Sequence, residues 1–309
     1  MHNNKLKPIL ITGSHRSGST WVGKMIGLSP SVAYIQEPFN LIHRRDICRA
    51  EFEYWFTYIC EQNESLYYKD INDCVRFNYD YREGLKSIKN FRDLARVTRD
   101  SVLFPLLKLF KVRPLLKDPI ALFSADWLAR NFDMQVVVLV RHPAAFAGSL
   151  KKPNWTHPFE HFVKQPLLMN NHLNHFREEI EEYARIDKDI VDQAILLWNL
   201  IHSMILKYRE NNPNWIFVRH EDISKSPIEE FSKLYDKLNL DYSNNIRKKI
   251  ANFSRSKTGA QDKNIKIARD SKSNISSWKN RLTKNEVQRI KYGTKDIASQ
   301  FYEEEEWAV

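Results

Sequence analysis

Residues 8–28 read Pro8-Ile-Leu-Ile-Thr-Gly13-Ser-His-Arg16-Ser-Gly18-Ser-Thr20-Trp21-Val-Gly23-Lys-Met-Ile-Gly-Leu28, and they decide the fold. The apolar run at residues 9–11 is typical of a buried parallel strand, and apolar residues recur at helical spacing from Trp21 onward. A glycine-rich loop lies between them. Strand, loop and helix in this order predict an anion site, because a helix N-terminus presents unpaired N–H groups and a positive dipole. Gly13 and Gly18 are predicted to take positive φ and to let the backbone approach the ligand.

The loop differs from the phosphate-binding loop of nucleotide hydrolases at one position. That pattern has Gly, four residues, Gly, and then Lys and Ser/Thr. Here Ser19 follows Gly18, and the cation, Arg16, lies two places before Gly18. The lysine that reaches the β/γ-phosphates is missing, whereas Arg16 can hold an oxyanion with several donors. An ordinary strand–turn–helix with a solvated arginine is the alternative; the glycine placement favours the phosphate-type site.

Composition limits the class of protein. The chain has 309 residues, and its net charge of 48 − 38 = +10 favours a polyanionic ligand or an acidic substrate. Nucleic acid is not the predicted partner, because the cations are spread and no basic helix or arm stands out. The three cysteines, Cys48, Cys60 and Cys74, lack the CxxC spacing of a zinc site and are odd in number for a disulfide framework.

The sequence predicts a single domain over residues 1–309. No internal repeat or low-complexity linker interrupts it. The first strand begins too early to leave room for a signal peptide, and no run approaches the roughly 20 apolar residues of a membrane span. The expectation is therefore a cytoplasmic protein without a membrane span. The sequence does not indicate an oligomeric state.

The fold class is predicted to be α/β, a P-loop-like three-layer fold with a central, mostly parallel sheet of about five strands flanked by helices. After the first strand, strands are predicted at residues 31–35, 113–117, 136–140 and 215–219. Residues 44–112 are predicted to form a helical insertion, including residues 51–59. Residues 151–174 carry prolines, aromatics and histidines without periodicity, which is typical of a functional or mobile loop, and are predicted to form a lid over the site. Four glutamates at residues 303–306 are predicted to form a solvated tail.

Glu37 is a candidate general base. It follows the second predicted strand, and Pro38 disfavours helix at Glu37, which places the carboxylate at the carboxyl end of the strand. Ligands of open parallel sheets lie at that edge, here beside the arginine-bearing loop. A surface glutamate that caps a loop is the alternative.

The strand at residues 136–140 ends in Arg141. A magnesium-dependent P-loop hydrolase would be expected to place a metal-binding aspartate there. Ser149 lies 149 − 141 = 8 residues further on, about two helical turns, where its hydroxyl can join Arg141 on one anion. With the glycine loop, this makes two anion sites without a recognisable metal ligand. The pattern predicts a ligand with two separated anionic groups and no obligatory metal.

These motifs resemble those of the sulfotransferases that use 3′-phosphoadenosine 5′-phosphosulfate (PAPS). In that family a glycine loop with a preceding Lys or Arg holds the 5′-phosphosulfate, which matches Arg16-Ser17-Gly18-Ser19-Thr20 within residues 8–28. Trp21 matches an aromatic that stacks on adenine. Arg141 and Ser149, within residues 136–150, match the 3′-phosphate motif. Lys272 matches one residue of a basic loop, which implies that residues 253–280 cover the nucleotide.

The resemblance also narrows the identity of the base. Cytosolic members carry Lys-x-His before the Arg motif, where this chain has Lys117-Asp118-Pro119 and no histidine. Carbohydrate and tyrosylprotein members instead carry a glutamate after the second strand, often in a Glu-Pro pair. Glu37 lies 37 − 16 = 21 residues beyond Arg16, as that arrangement requires. Glu37 is therefore the predicted base, and Asp118 is the second candidate.

The resemblance implies a reaction. A sulfuryl group would pass from PAPS, by in-line displacement, to a hydroxyl of a carbohydrate, lipid or small-molecule acceptor, leaving adenosine 3′,5′-bisphosphate. Glu37 would take the proton, and Arg16 and Lys117 would stabilise the developing charge. Two alternatives stay open, namely a P-loop-type small-molecule kinase and a non-catalytic adenosine-bisphosphate-binding module.

Overall fold

The computed structural model describes residues 7–255 and 275–308 and is built on one five-stranded parallel sheet. The strand order across the sheet is β2-β3-β1-β4-β5. The strands are β1 (Ile9–Gly13), β2 (Val32–Gln36), β3 (Arg113–Lys117), β4 (Gln135–Val140) and β5 (Ile216–Arg219). Every strand pair is parallel. The predicted α/β fold class is confirmed.

Helices cover both faces of the sheet in the described parts of the chain. They are α1 (Ser19–Ile26), α2 (Tyr68–Val75), α3 (Tyr81–Lys86), α4 (Phe91–Leu109), α5 (Ala125–Phe132), α6 (Pro143–Lys151), α7 (Glu160–Val163), α8 (Pro166–Leu168), α9 (Arg177–Arg185), α10 (Ile190–Asn211), α11 (His220–Lys225), α12 (Pro227–Lys237), α13 (Asn244–Arg255) and α14 (Lys284–Ala298). Short 3₁₀ or π segments are Glu64–Leu66, Pro119–Ser124, Met169–Leu173, Asn174–Phe176, Ser277–Asn280 and Glu304–Trp307.

The apolar core forms two layers, one on each face of the sheet. Val136 and Val138 of β4 belong to the layer that also contains Leu10, whereas Val137 belongs to the opposite layer with Ile9. Successive strand side chains point to opposite faces, so a continuous apolar run such as β4 supplies both layers. The sheet is therefore buried on both faces.

Residues 44–112 contain α2, α3 and α4, but the helix predicted at residues 51–59 is wrong. This stretch is irregular, and its backbone N–H groups donate to side chains far along the chain. Trp55 N donates to His161 Nδ1 at 3.0 Å, and Ile59 N donates to Ser124 Oγ at 2.9 Å. Because tertiary partners satisfy these groups, the segment does not need the i−4 carbonyls of a helix.

Residues 151–174 are only partly exposed. Phe162, Leu168 and Leu173 are fully buried in the core, so this half of the segment is structural. Trp155 is exposed and precedes the buried part. The lid function of the segment stays a prediction.

The C-terminal residues pack on the protein, so the predicted solvated tail holds only in part: Glu303, Glu304 and Glu305 are exposed, whereas Glu306 is half-buried. Trp307 is buried, and Glu306 forms an ion pair with Arg219 at the end of β5. Tyr302 is also buried. Glu303 thus caps the short 3₁₀ turn Glu304–Trp307, which returns the chain to the end of β5.

Helix α10 is long and apolar enough, by length and composition, to cross a membrane. Its most apolar window has a mean hydropathy of 1.2, and 61% of that window is buried inside the protein. A core helix of a soluble protein passes the same test. The predicted lack of a membrane span stays a prediction.

Candidate active site

The loop between β1 and α1 has the geometry that the glycines predict. Gly13 and Gly18 have φ values of +129° and +87°. Gly18 is the N-cap of α1 and carries no side chain to satisfy the first helical N–H groups. A Cβ at Gly18 would lie 2.6 Å from His220 Nδ1, so a larger residue is excluded by space as well as by φ. The loop therefore leaves backbone donors for an anion.

The polar side chains of the loop divide into two groups. Ser17 is fully buried, and its hydroxyl donates to Ser14 O at 2.5 Å, which closes the loop on itself. Ser19 is buried, whereas Arg16 and Thr20 are exposed. The Ser14 hydroxyl is buried without a hydrogen-bond partner in the described structure. An unsatisfied buried hydroxyl in this loop fits a polar ligand there, because burying it alone costs free energy.

Glu37 and Lys117 meet at the carboxyl edge. Lys117 ends β3 opposite Gln36 of β2 and Ile11 of β1, and its fully buried ammonium donates to Glu37 Oε1. The other carboxylate oxygen accepts from Asn40 Nδ2 at 3.0 Å. Glu37 has φ +45°, and its backbone N donates to Lys117 O at 2.8 Å. Two side chains and a strained backbone thus hold a partly exposed carboxylate in one place.

Gly23 makes room for this pair. A Cβ on Gly23 would lie 3.0 Å from Lys117 Cγ and 2.9 Å from Tyr34 Cε2. The lysine stem therefore runs against the backbone of α1, the helix that begins at the glycine loop. The sequence contains Gly23 but gives no signal for this contact, since it joins segments about a hundred residues apart.

Asp118 lies behind the site. Its carboxylate is fully buried and accepts from Phe39 N at 2.6 Å and from Ile120 N at 3.0 Å. It thereby fixes the loop after Glu37 and begins the turn Pro119–Ser124. With both oxygens occupied by backbone donors, Asp118 is placed to position the Glu37 loop.

Asp118 is expected to make stability depend on pH. Burial raises the pKa of Asp118 from 3.8 to about 7, against the opposing effect of its two N–H donors. The folded protein then binds this proton more tightly than the unfolded chain, so the free energy of unfolding falls as pH rises from about 4 to about 7. In Asp118→Asn this contribution is absent. Urea unfolding at about pH 5 and about pH 8 should show a smaller loss of stability in the variant than in the wild type. Equal losses in both proteins would contradict the assignment.

Arg141 and the glycine loop are in direct contact. Arg141 Nη1 donates to Arg16 O, and Trp198 Nε1 donates to Arg141 O at 2.9 Å. The guanidinium is buried, which lowers the pKa of Arg141 to about 10 without discharging it at neutral pH. Its Nε has no hydrogen-bond partner in the described structure. A buried, charged donor in this position fits an anionic group of a ligand.

Ser149 lies on α6 and is buried. Its hydroxyl donates to Phe146 O at 2.7 Å, within the same helix. To donate to a phosphate held by Arg141, the hydroxyl must turn away from that carbonyl. A serine rotates its hydroxyl at little cost, so the geometry is compatible with the predicted role.

The carboxylate of Glu221 lies behind Arg141. Glu221 accepts from His142 N at 3.1 Å and from Tyr302 OH at 3.0 Å. Burial raises the pKa of Glu221, and the Arg141 charge opposes that rise. Glu221 therefore joins the residue after Arg141 to the C-terminal segment. Sequence spacing gives no sign of the Tyr302 contact, which spans 81 residues.

Aromatic side chains surround the loop. The His15 ring makes edge contacts with Phe56, Phe146 and Trp155 at centroid distances of 5.8, 5.2 and 5.7 Å. Burial and the neighbouring Arg16 lower the pKa of His15 to about 3, so its imidazole is neutral at physiological pH. The Arg16 guanidinium lies 5.9 Å from the centre of the Trp155 ring. Trp155 lies in the predicted lid, but sequence reasoning did not single it out.

Trp21 lies on the other side of α1, half-buried against α12. Its ring contacts Phe231 edge-on at 5.4 Å and His220 at 6.3 Å. These contacts fix the indole beside the loop, and its role as an adenine platform stays a prediction. Lys272 lies outside the described residues, as does most of the predicted nucleotide-covering segment at residues 253–280.

The strand order brings the remaining predicted residues to one edge. From β2 through β3 and β1 to β4, the strand ends carry Glu37, Lys117, the glycine loop and Arg141 in turn. This edge offers a carboxylate, an ammonium beside it, and the two predicted anion-binding positions beyond the ammonium. Within residues 7–255 and 275–308, no group of three or more His, Cys, Asp or Glu side chains is placed to hold a metal ion.

Known proteins resemble this chain in sequence and in fold. The family model described as "Sulfotransferase family" matches residues 8–244. Carbohydrate sulfotransferase 4 of Mus musculus is 24% identical over 331 residues, covering 91% of this chain and 78% of the mouse protein. The sulfotransferase domain from the curacin biosynthetic pathway has a similar fold, with a TM-score of 0.51, 16% identity and coverage of 94% of this chain and 99% of that domain. The sulfotransferase domain of the Synechococcus PCC 7002 olefin synthase has a TM-score of 0.50, 15% identity and 98% coverage of each chain.

Proposed function

The chain belongs to the sulfotransferase family, and from that premise we propose that it transfers the sulfuryl group of PAPS to a carbohydrate hydroxyl, with Glu37 as general base. The main support for this proposal is the Glu37–Lys117 pair, which lies at the sheet edge beside the glycine loop. The sugar acceptor is supported by the Glu37-Pro38 pair and by the carbohydrate sulfotransferase among the relatives. Lipid-linked and small-molecule alcohols are the other acceptors to be screened.

Each residue has a defined task in the proposed mechanism. Glu37 takes the proton of the acceptor hydroxyl as the oxygen attacks sulfur in line. Lys117 holds the Glu37 carboxylate and places a positive charge at the edge. Arg16 and the loop amides stabilise the negative charge that develops on the leaving phosphate, in a loose transition state like that of phosphoryl transfer.

The nucleotide is proposed to lie across the edge from the glycine loop to β4. The backbone donors of the loop and the Ser14 hydroxyl suit the 5′-phosphosulfate, and the unsatisfied Arg141 Nε suits the 3′-phosphate. The Arg141–Arg16 contact joins the two anion positions. No metal ligand is assigned, and the cytoplasmic location stays a prediction.

Isothermal titration and a transfer assay test this function. We expect adenosine 3′,5′-bisphosphate to bind tightly without magnesium and radioactive sulfate to pass from PAPS to a sugar in an acceptor panel. Preferential binding of magnesium–ATP would favour the small-molecule kinase. Tight bisphosphate binding without transfer to any sugar, lipid or small alcohol would favour the non-catalytic binding module.

Ser149→Ala separates ligand binding from helix packing. Loss of one hydrogen bond to a charged phosphate is expected to weaken bisphosphate binding about tenfold. The free energy of unfolding should change by less than about 1 kcal/mol, because the hydroxyl otherwise bonds only within its helix and Ala is a good helix former. Titration calorimetry and urea unfolding check both values. A large loss of stability with unchanged affinity would assign Ser149 to packing.

A further inference from the structure

Helix α4 carries an apolar face that nothing in the described structure covers. Phe91, Val102 and Leu109 lie within about 20° of one another around the helix axis, at about 100° per residue. They are 82%, 58% and 71% exposed. Leu94 and Leu106 bound an arc of about 120° around this line. Inside the arc the other residues are Ala95, Thr98 and Pro105, so no charge interrupts it. These eight residues are called the α4 apolar face.

The opposite side of α4 is firmly held, so the α4 apolar face is the outside of a packed helix. Val97, Asp100 and Phe104 are buried. Arg44 forms an ion pair with Asp100 at 2.7 Å, and Arg96 forms one with Asp46 at 3.0 Å. Soluble monomers rarely expose a contiguous apolar patch of this kind, and such patches mark interaction surfaces.

Cations border the α4 apolar face on both sides. Arg92 and Arg99 flank one side of the arc and Lys108 flanks the other. All charged residues of the exposed class between residues 81 and 111 are basic, namely Arg82, Lys86, Lys89, Arg92, Arg99, Lys108 and Lys111. The three acids of this stretch are less exposed and already paired: Glu83 with Lys86, Asp93 with Arg96, and Asp100 with Arg44 and Arg99.

We propose that the α4 apolar face docks on an anionic phospholipid surface. An apolar helix face with Lys and Arg at its borders is the pattern of helices that lie in the membrane interface. A second copy of this chain is a poorer occupant. In a two-fold dimer through this face, the basic borders of one copy would lie against those of the other. The chain's net charge of +10 also favours attraction to an anionic surface, as do the cations that border the α4 apolar face.

Vesicle flotation with matched variants tests the proposal. The probes are vesicles of phosphatidylcholine alone and of phosphatidylcholine with about one third phosphatidylglycerol. The test variant is Val102→Glu/Leu109→Glu. The control is Ile186→Glu/Tyr292→Glu, which makes the same charge change at positions that are 54% and 86% exposed elsewhere on the protein. All four side chains are more than half exposed, so both variants should fold, which circular dichroism verifies.

We expect the wild type and the control to float with the anionic vesicles. The α4 variant should partition roughly 100-fold less, about tenfold for each apolar side chain withheld from the bilayer boundary. Absence of wild-type flotation, an equal loss in the control, or equal flotation with neutral vesicles would overturn the proposal. So would a concentration-dependent dimer, seen by sedimentation, that only the α4 variant abolishes in the absence of vesicle binding.

Discussion

Glu37→Gln is expected to lower sulfuryl transfer by roughly 10²- to 10⁴-fold while bisphosphate affinity stays nearly unchanged. The amide keeps the shape of the side chain but cannot accept the proton of an attacking hydroxyl. In the wild type the carboxylate is held by Lys117 and Asn40. A glutamine can still accept from one of these donors through its single carbonyl oxygen. The loss should therefore fall on kcat and leave nucleotide binding intact.

Asn40→Ala and Asp118→Asn are the matched controls for this result. Asn40→Ala removes one support of Glu37 but leaves the base, so a loss well below that of Glu37→Gln is expected. Asp118→Asn alters the other candidate carboxylate, which is bonded to two backbone N–H groups. Wild-type turnover in Glu37→Gln together with a large kcat loss in folded Asp118→Asn would transfer the role of base to Asp118.

The parts of the fold that the sequence predicts are those carried by local patterns. The five strands and the glycine loop could be predicted from short stretches of sequence, and the positive φ of Gly13 and Gly18 is possible because glycine lacks a Cβ. The irregular course of residues 51–59 could not be predicted, because His161 and Ser124 satisfy its backbone from distant segments. The pairing of Glu306 could not be predicted for the same reason, since its partner Arg219 lies at the end of a distant strand.

The candidate site likewise has residues that the sequence predicts and contacts between them that it does not. Arg16, Glu37 and Arg141 could be named because each follows a recognisable strand, and parallel strands end at a common edge. Their mutual contacts could not be named. The donation from Lys117 to Glu37, the passage of Lys117 beside Gly23 and the Arg141 contact with Arg16 O each depend on how remote segments pack. Trp155 belongs to no motif, so the sequence did not mark it as a candidate site residue. It became one only through the structure, which places its ring beside the Arg16 guanidinium.

Replacement of Arg141 by Gln is expected to weaken adenosine 3′,5′-bisphosphate binding by roughly 100-fold, or about 3 kcal/mol, as two charge-assisted hydrogen bonds are lost. The buried guanidinium has an unsatisfied Nε and lies against the carbonyl of Arg16. Its replacement could also disturb the glycine loop. For that reason the diagnostic quantity is the ratio of the affinities for adenosine 3′,5′-bisphosphate and adenosine 5′-monophosphate, which differ only in the 3′-phosphate.

In the wild type this ratio should be large, and in Arg141→Gln it should fall by about 100-fold, because the Arg141 contribution to 3′-phosphate binding is gone and only that of Ser149 is left. Arg219→Gln is the matched control. Arg219 lies over the ring of Tyr302, the residue that bonds to Glu221, at 4.5 Å, but it pairs with Glu306 and is given no nucleotide contact. It should keep the wild-type ratio even if its stability falls. A ratio that Arg141→Gln leaves unchanged, with both ligands weakened alike, would mean that Arg141 supports the loop and that another residue holds the 3′-phosphate.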